Sequence, residues 1–303
     1  MINQSEYELM NILIKNAENF IQQNTNVAMR GVTAHMISNA RLLLDKMRSE
    51  AEQGNLMGFN RALLGFYRII PRITDGNFLE YSNTLALERL TKEQMFLDAV
   101  ESARDRVLNK TDVQIGNTPE EEAMIKNGLE VCKASEEDVR LIKRMMGGDS
   151  HKFVKAWKVL NKRKEDDFRN YLKKYEISST TLLWHGSPTP NFLSIFCNGL
   201  DLEHACYGMF GKGIYYAPRF SKSRGYTSVH NSYWRSGDQD YAMLGIFEVA
   251  TGKKHDVYNC SGVSGAPHGF DCVWAHAGTT LLNDEVVLYR DNCSSIRYLV
   301  QTT

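Results

Sequence analysis

"MFGKGIYYAPRFSKS", residues 209–223, sets two glycines around a lysine, then two tyrosines, then Ser-Lys-Ser. A Gly-Lys pair invites comparison with a phosphate loop, whose nest of backbone N–H groups needs Gly, four residues, then Gly-Lys-Ser/Thr. From Gly208 the spacing is too short, and Gly213 stands where the hydroxyl residue belongs. The dinucleotide fingerprint G-x-G-x-x-G fails as well, because Tyr216 takes the place of its third glycine. What remains is a short Gly-x-Gly-Ile-Tyr strand followed by a helix start at Ser-Lys-Ser.

Around this stretch the chain reads as short β-type runs separated by turns: "KFVKAWKVL", "TTLLWHG", "KGIYYA", "YAMLGIFEVA", "DEVVLY" and "IRYLVQ". Helices between them are too few for a doubly wound parallel sheet, so the pattern predicts an α+β domain with mixed or antiparallel sheets. Helical stretches are expected near Glu120–Val131 and Asp166–Lys174. The first half has a different period. Leu9, Ile12, Leu13, Ala17 and Phe20 recur at helical spacing, as do Met36, Ala40, Leu43, Leu44 and Met47. "FNRALLGFYRII" is closed by Pro71. A fourth helix carries Phe96, Ala99, Val100, Ala103 and Val107, introduced by a capping-box pattern from Thr91 to Gln94. An all-α bundle over 1–108 is therefore expected to precede a second domain over 109–303, with the boundary in the polar segment Leu108–Pro119.

Bulk properties narrow the partners. Lysine plus arginine equals aspartate plus glutamate at 36 each in 303 residues, so net charge gives no ground for general nucleic-acid or membrane binding. The basic stretch "KVLNKRKEDDFRNYLKK" is interrupted by aspartates and reads as a solvated surface. The N-terminal stretch lacks a basic region leading into an apolar core, and charge breaks every apolar run before membrane-spanning length. Six cysteines, Cys132, Cys197, Cys206, Cys260, Cys272 and Cys293, form no C-x2-C pair, which argues against a zinc ribbon or a disulfide framework. Free thiols in a soluble intracellular protein are the expectation, with nuclear and cytoplasmic placement both open.

Three elements carry the chemistry: "LWHGS" (Leu183–Ser187), the stretch 209–223, and "LLNDEVVLY" (Leu281–Tyr289). Each is weak alone. In this order, with "NF", "NGL" and "EVA" between and after them, they resemble the catalytic domain of the poly(ADP-ribose) polymerase family. "GFYRIIPR" and "ISNARLLLDKMRSE" resemble the helical regulatory domain that precedes it in the DNA-damage members. The resemblance implies an ADP-ribosyltransferase fold, NAD+ as substrate and no metal. It also implies a transition state with positive charge spreading over the ribose, which a fixed carboxylate would stabilise. By this resemblance Glu285 is that carboxylate, and its neighbour Asp284 is not needed for the role. Lys222 helps to position Glu285, and His185 hydrogen-bonds the adenosine-side ribose. Tyr226 and Tyr215 stack on the nicotinamide, while the backbone of Gly186 and the hydroxyl of Ser223 hold its carboxamide. Gly211 and Gly213 let the backbone turn and approach the dinucleotide. Ser187, Asn191, Tyr216 and Ala217 complete the expected NAD+-binding set.

The loop "GLDLEHACYGM" resembles the short donor loop of tankyrases, with His204 in the position of a histidine that folds over the NAD+ site. The stretch Ala275–Glu285 likewise lacks the acceptor-site insertion of the DNA-damage enzymes, and Pro218 replaces an acidic residue common there. The chain reads as a mosaic, a helical regulatory domain joined to a transferase domain with short loops. The expected activity is transfer of ADP-ribose to protein acceptors, the chain itself included, with polymerisation the favoured outcome. Mono-ADP-ribosylation, transfer to nucleic-acid ends and a non-catalytic NAD+ or ADP-ribose binding module are the competing readings. DNA is a further candidate partner, though no DNA-binding motif is recognisable.

Overall fold

The computed structural model describes residues 4–28, 31–73, 76, 79–109, 128–205, 207–230, 232 and 239–303. The chain divides into two compact units, Ile12–Pro119 and Glu120–Thr303, the latter grouped with Met1–Asn11. Most of the boundary segment, residues 110–127, and Cys206 lie outside the described residues.

Four helices make up the N-terminal part: α1 (Gln4–Asn24), α2 (Ala34–Glu52), α3 (Leu56–Ile69) and α4 (Asn83–Asn109). The Thr33 hydroxyl caps α2 by accepting from the Met36 N–H at 3.1 Å, and Asn55 caps α3 through the Gly58 N–H in the same way. α2 buries Ile37, Ala40, Leu44, Met47 and Ala51, and α3 buries Phe59, Ala62, Leu63 and Phe66. These meet Phe96, Leu97, Ala99 and Val100 of α4 in one apolar core. Each large side chain enclosed there contributes about 1.5–3 kcal/mol. The expected capping box at Thr91 is not a helix start. α4 begins about two turns earlier at Asn83, where the Ser82 hydroxyl accepts from the Leu85 N–H at 3.3 Å. Thr91 sits inside the helix and its hydroxyl donates back to the Leu87 carbonyl. The side chains of Ala103 and Val107 lie outside the described set.

A polar charge network is buried within this unit. Glu93, fully enclosed, pairs with Arg72 at 2.8 Å and accepts from the Tyr67 hydroxyl at 3.0 Å. Arg41 bridges α2 to Asp98 and Glu101 on α4.

The second unit is built on two sheets. A five-stranded antiparallel sheet has the order β1-β2-β11-β7-β3, formed by Leu129–Lys133, Phe153–Asn161, Ser294–Thr302, Ala242–Val249 and Thr181–Gly186. A four-stranded sheet has the order β6-β10-β9-β8, formed by Ile214–Tyr216, Glu285–Leu288, Cys272–Ala275 and Lys254–Val257, with β8 and β9 parallel. A two-stranded pair, β4 (Tyr207–Gly208) with β5 (Gly211–Lys212), precedes β6. Among the described residues, four α-helices, α5 (Glu136–Met146), α6 (Lys162–Lys174), α7 (Phe192–Asn198) and α8 (Phe220–Arg224), accompany the sheets. This is the expected α+β arrangement, and α6 contains the anticipated Asp166–Lys174. The helix expected over Glu120–Val131 is corrected at its end. Leu129–Val131 belongs to strand β1, where Leu129 and Val131 are buried and Glu130 is exposed, the period of a strand. Residues 120–127 lie outside the described set.

Candidate active site

Trp184 joins the pieces of the site. Its backbone N–H and C=O both bond Ala217 at 2.9 Å, so β3 is pinned to the residue after β6. The Trp184 carbonyl also accepts from the Ser223 hydroxyl at 3.1 Å, which brings in α8, and its buried indole meets the Phe220 ring edge-on at 5.3 Å. Gly186 ends β3 against α8. A Cβ there would lie 1.8 Å from the Ser223 carbonyl oxygen, so only glycine fits.

His185 pairs with Gly245 of β7, a position whose missing side chain leaves room for the Phe247 ring. The imidazole lies edge-on to Tyr216 and Phe247 at 5.8 and 5.9 Å. Its Nδ1 faces the Tyr215 carbonyl at 2.9 Å. A carbonyl only accepts, so Nδ1 carries the proton and Nε2 of the neutral ring is left as an acceptor. Burial lowers the pKa of His185, more than the bond to Tyr215 raises it, and so favours that neutral form.

Successive strand residues point to opposite faces, and β6 uses both. The Tyr215 hydroxyl donates to the Gly211 carbonyl at 2.7 Å and accepts from the Phe210 N–H at 3.0 Å, so its ring is fixed by the preceding turn. The ring occupies the space where a Gly208 side chain would stand. Tyr216 points the other way, is buried, and donates its hydroxyl to Ser294 at 2.6 Å. It supports the His185 ring from behind, and burial drives its own pKa well up.

Val287 of β10 pairs with Tyr215, and Glu285, two residues earlier, shares its face. Glu285 is buried, and its Oε1 meets the Lys222 ammonium of α8 at 2.5 Å. That ammonium also lies 5.8 Å from the centre of the Tyr226 ring. The fold thus gathers Glu285, Lys222, Tyr226, Ser223 and Gly186 about α8, with His185 and Tyr215 joined through one hydrogen bond beside them. Ser187 accepts from the Asn191 amide at 3.1 Å, while the Asn191 Oδ1 is buried with no hydrogen-bond partner. His204 is held in its own loop, its backbone N–H and Nδ1 both meeting Asp201 Oδ1 at 2.9 and 2.6 Å.

Gly211 and Gly213 each have a reason in the packing of the protein itself. Gly211 has φ +84°, and a Cβ there would lie 2.7 Å from the Ser264 carbonyl oxygen. A Cβ on Gly213 would lie 2.5 Å from Val287. What approaches these glycines is the protein itself. Ala217 likewise serves as the strand bridge to Trp184. The sequence reading missed Trp184 as the hub and set Asp284 aside. Asp284 accepts from the Ala277 N–H at 2.9 Å and the Trp274 indole at 3.1 Å, and so orders the turn before Glu285. Its position beside a strand-opening glutamate was the available signal.

Residues 136–282 match the family model described as the poly(ADP-ribose) polymerase catalytic domain, and Glu285 stands three positions beyond the match. The chain is 36% identical over 126 residues to protein mono-ADP-ribosyltransferase PARP3 of Mus musculus, covering 41% of this chain and 22% of that protein. It is 36% identical over 110 residues to poly [ADP-ribose] polymerase 1 of Danio rerio, covering 35% and 10%. Likeness to protein mono-ADP-ribosyltransferase PARP4 of Mus musculus is lower, 23% over 325 aligned positions, but it runs along 99% of this chain and 16% of the relative. The chain spans less than a quarter of the length of each of these relatives. Sequence order, fold and family match agree, and residues 136–282 of the chain belong to the poly(ADP-ribose) polymerase catalytic-domain family.

Proposed function

We propose that the chain transfers ADP-ribose from NAD+ to protein side chains, its own included, and extends the product into a polymer. The observation that carries this reading is the buried Lys222–Glu285 pair, fixed at 2.5 Å on the sheet face that also presents Tyr215. The bond between the nicotinamide nitrogen and the ribose C1′ breaks, its electron pair going to the nicotinamide, and an acceptor oxygen or nitrogen bonds C1′ in its place. Positive charge spreads over the ribose on the way, and a carboxylate already oriented by Lys222 stabilises it without reorganisation. The Ser223 hydroxyl donates its hydrogen bond to the Trp184 carbonyl and keeps lone pairs to accept from the carboxamide NH2, beside the Gly186 backbone. The neutral Nε2 of His185 is suited to accept from a ribose hydroxyl. Tyr215 and Tyr226 supply stacking faces. Asn191, Ser187 and His204 complete the binding surface, and the loop 199–209 acts as a short tankyrase-like donor loop. No described helix is long and apolar enough to cross a membrane, in keeping with acceptors met in solution.

The test is a gel of the purified chain after incubation with labelled NAD+, wild type beside Glu285→Gln, with and without nicked DNA. A high-mass smear is expected, falling by about 10²–10³ in rate in the variant. A single sharp band would keep the transfer and remove polymerisation. No label under any condition would overturn the reading.

A further inference from the structure

Behind Glu285, on the opposite face of its sheet, stands a charged cluster that the proposed chemistry does not use. Glu285 pairs with Ala275, so Asp284, one residue earlier, turns to the face carrying Trp274 and His276. In the parallel ladder Asp256 pairs with Trp274, which brings Asp256 to that face too. His276 lies between two carboxylates. Its Nε2 is 2.7 Å from Asp256 and its Nδ1 is 3.3 Å from Asp284.

An ionised carboxylate only accepts, and a neutral imidazole carries a single N–H. A ring with an acceptor at each nitrogen satisfies both only as the imidazolium. Asp284 is suited to remain ionised. Burial works against it, but the Ala277 N–H, the Trp274 indole and His276 together hold its pKa below the usual aspartate value. The half-exposed setting of Asp256 leaves its charge in contact with water. The remaining groups on this face are Tyr258, whose exposed ring stacks on the imidazole at 4.9 Å, and Lys254, whose ammonium lies over Trp274 at 3.7 Å.

We propose that His276 is a positioning residue for Glu285, a charged ring that ties Asp256 on one strand to Asp284 at the entry to another and so fixes the turn 276–284. The His276 backbone N–H bonds the Val257 carbonyl and the Gly278 N–H bonds the Leu281 carbonyl, both at 2.8 Å, so the turn is closed at its base and tip, and the ring adds to the Ala277 and Trp274 bonds on Asp284 a tie across to Asp256. Asp284 adjoins Glu285 in the chain, so a displaced Asp284 carries Glu285 with it. Misplacement of a catalytic group by about 1 Å can cost about 10²-fold in rate. The catalytic half of this proposal rests on the ADP-ribosyl transfer reading.

The experiment uses the full chain and follows nicotinamide release from NAD+, alongside amide hydrogen exchange over residues 276–285. His276→Phe keeps the stack on Tyr258 and removes both donors. It is expected to lower kcat about ten-fold or more with KM for NAD+ within about two-fold, and to speed exchange in the turn. Asp256→Asn, on the more exposed side, gives an intermediate loss and serves if the first variant does not fold. Wild-type kcat in the variants, or unchanged exchange over 276–285, would overturn the proposal. If the wild type releases no nicotinamide, the transferase reading fails, and exchange alone decides whether His276 holds the turn.

Discussion

At the scale of single residues, two positions behave differently under substitution. Gly186 has no tolerance, because even a methyl group would overlap the Ser223 backbone. Gly186→Ala is expected to destabilise the catalytic unit by about 4 kcal/mol or more, read as loss of its cooperative transition in urea. His185 tests a protonation state instead. Its pKa is lowered by burial, with the Tyr215 carbonyl pulling weakly the other way. As pH falls through about 6.5 the unfolded chain takes up a proton before the native one does. The stability this group contributes above that pH is therefore lost below it. Unfolding free energies at pH 7.5 and 5.5 should differ more for the wild type than for His185→Gln. Here the sequence was informative up to a point. The neighbouring pair Tyr215 and Tyr216 was legible as a strand, hence as two faces. Nothing in three residues of strand said which face was the open one, and both were assigned to the dinucleotide. The Tyr216 hydroxyl finds its acceptor in Ser294, 78 residues away, a partner that no local pattern shows.

At the scale of elements, partly buried charge joins strands and helices that apolar patterning alone would leave free to slide. Arg297 of β11 reaches Glu165 of α6 at 2.6 Å and Glu248 of β7 at 2.6 Å. Although burial opposes it, bonds from Arg297 and Ser295 bring the Glu165 pKa down to about 2. The stabilisation is present above the ordinary glutamate pKa and is lost as pH falls from there towards 2. Arg297→Met is expected to cost about 3 kcal/mol at neutral pH and to move the acid-unfolding midpoint upward. In the helical unit, Glu93→Ala would leave Arg72 buried without its partner, a loss of about 3–5 kcal/mol measurable by thermal unfolding. Element type was readable wherever a run was long: β2, β3, β7 and β11 all stand where alternation placed them. Strands β8 and β9 were missed because "KHDV" and "CVWA" are too short to show a period. Strand β1 was read as helix because its neighbours lent it helical context, while its pairing partner β2 lies a full element further along.

At the scale of the whole molecule, one apolar core among the described residues is drawn from residues 21–100 and two others from residue 134 onward. Calorimetry is expected to resolve two transitions, with Glu93→Ala lowering one and Gly186→Ala abolishing the other. The change of period from helical to strand-like was visible in the sequence. The order of strands was not visible, since it depends on partners far apart in the chain, such as Phe153 of β2 and Thr302 of β11. That order has a consequence for synthesis. β11, the last strand in the sequence, lies in the middle of its sheet between β2 and β7, joined to both through most of its length. A ribosome that has not yet passed Thr302 carries β2, β3 and β7 with no central strand to hold them. The sheet beneath His185 is therefore completed only after translation has passed this point, and a nascent chain arrested before Ser294 would present unpaired apolar strand edges to chaperones.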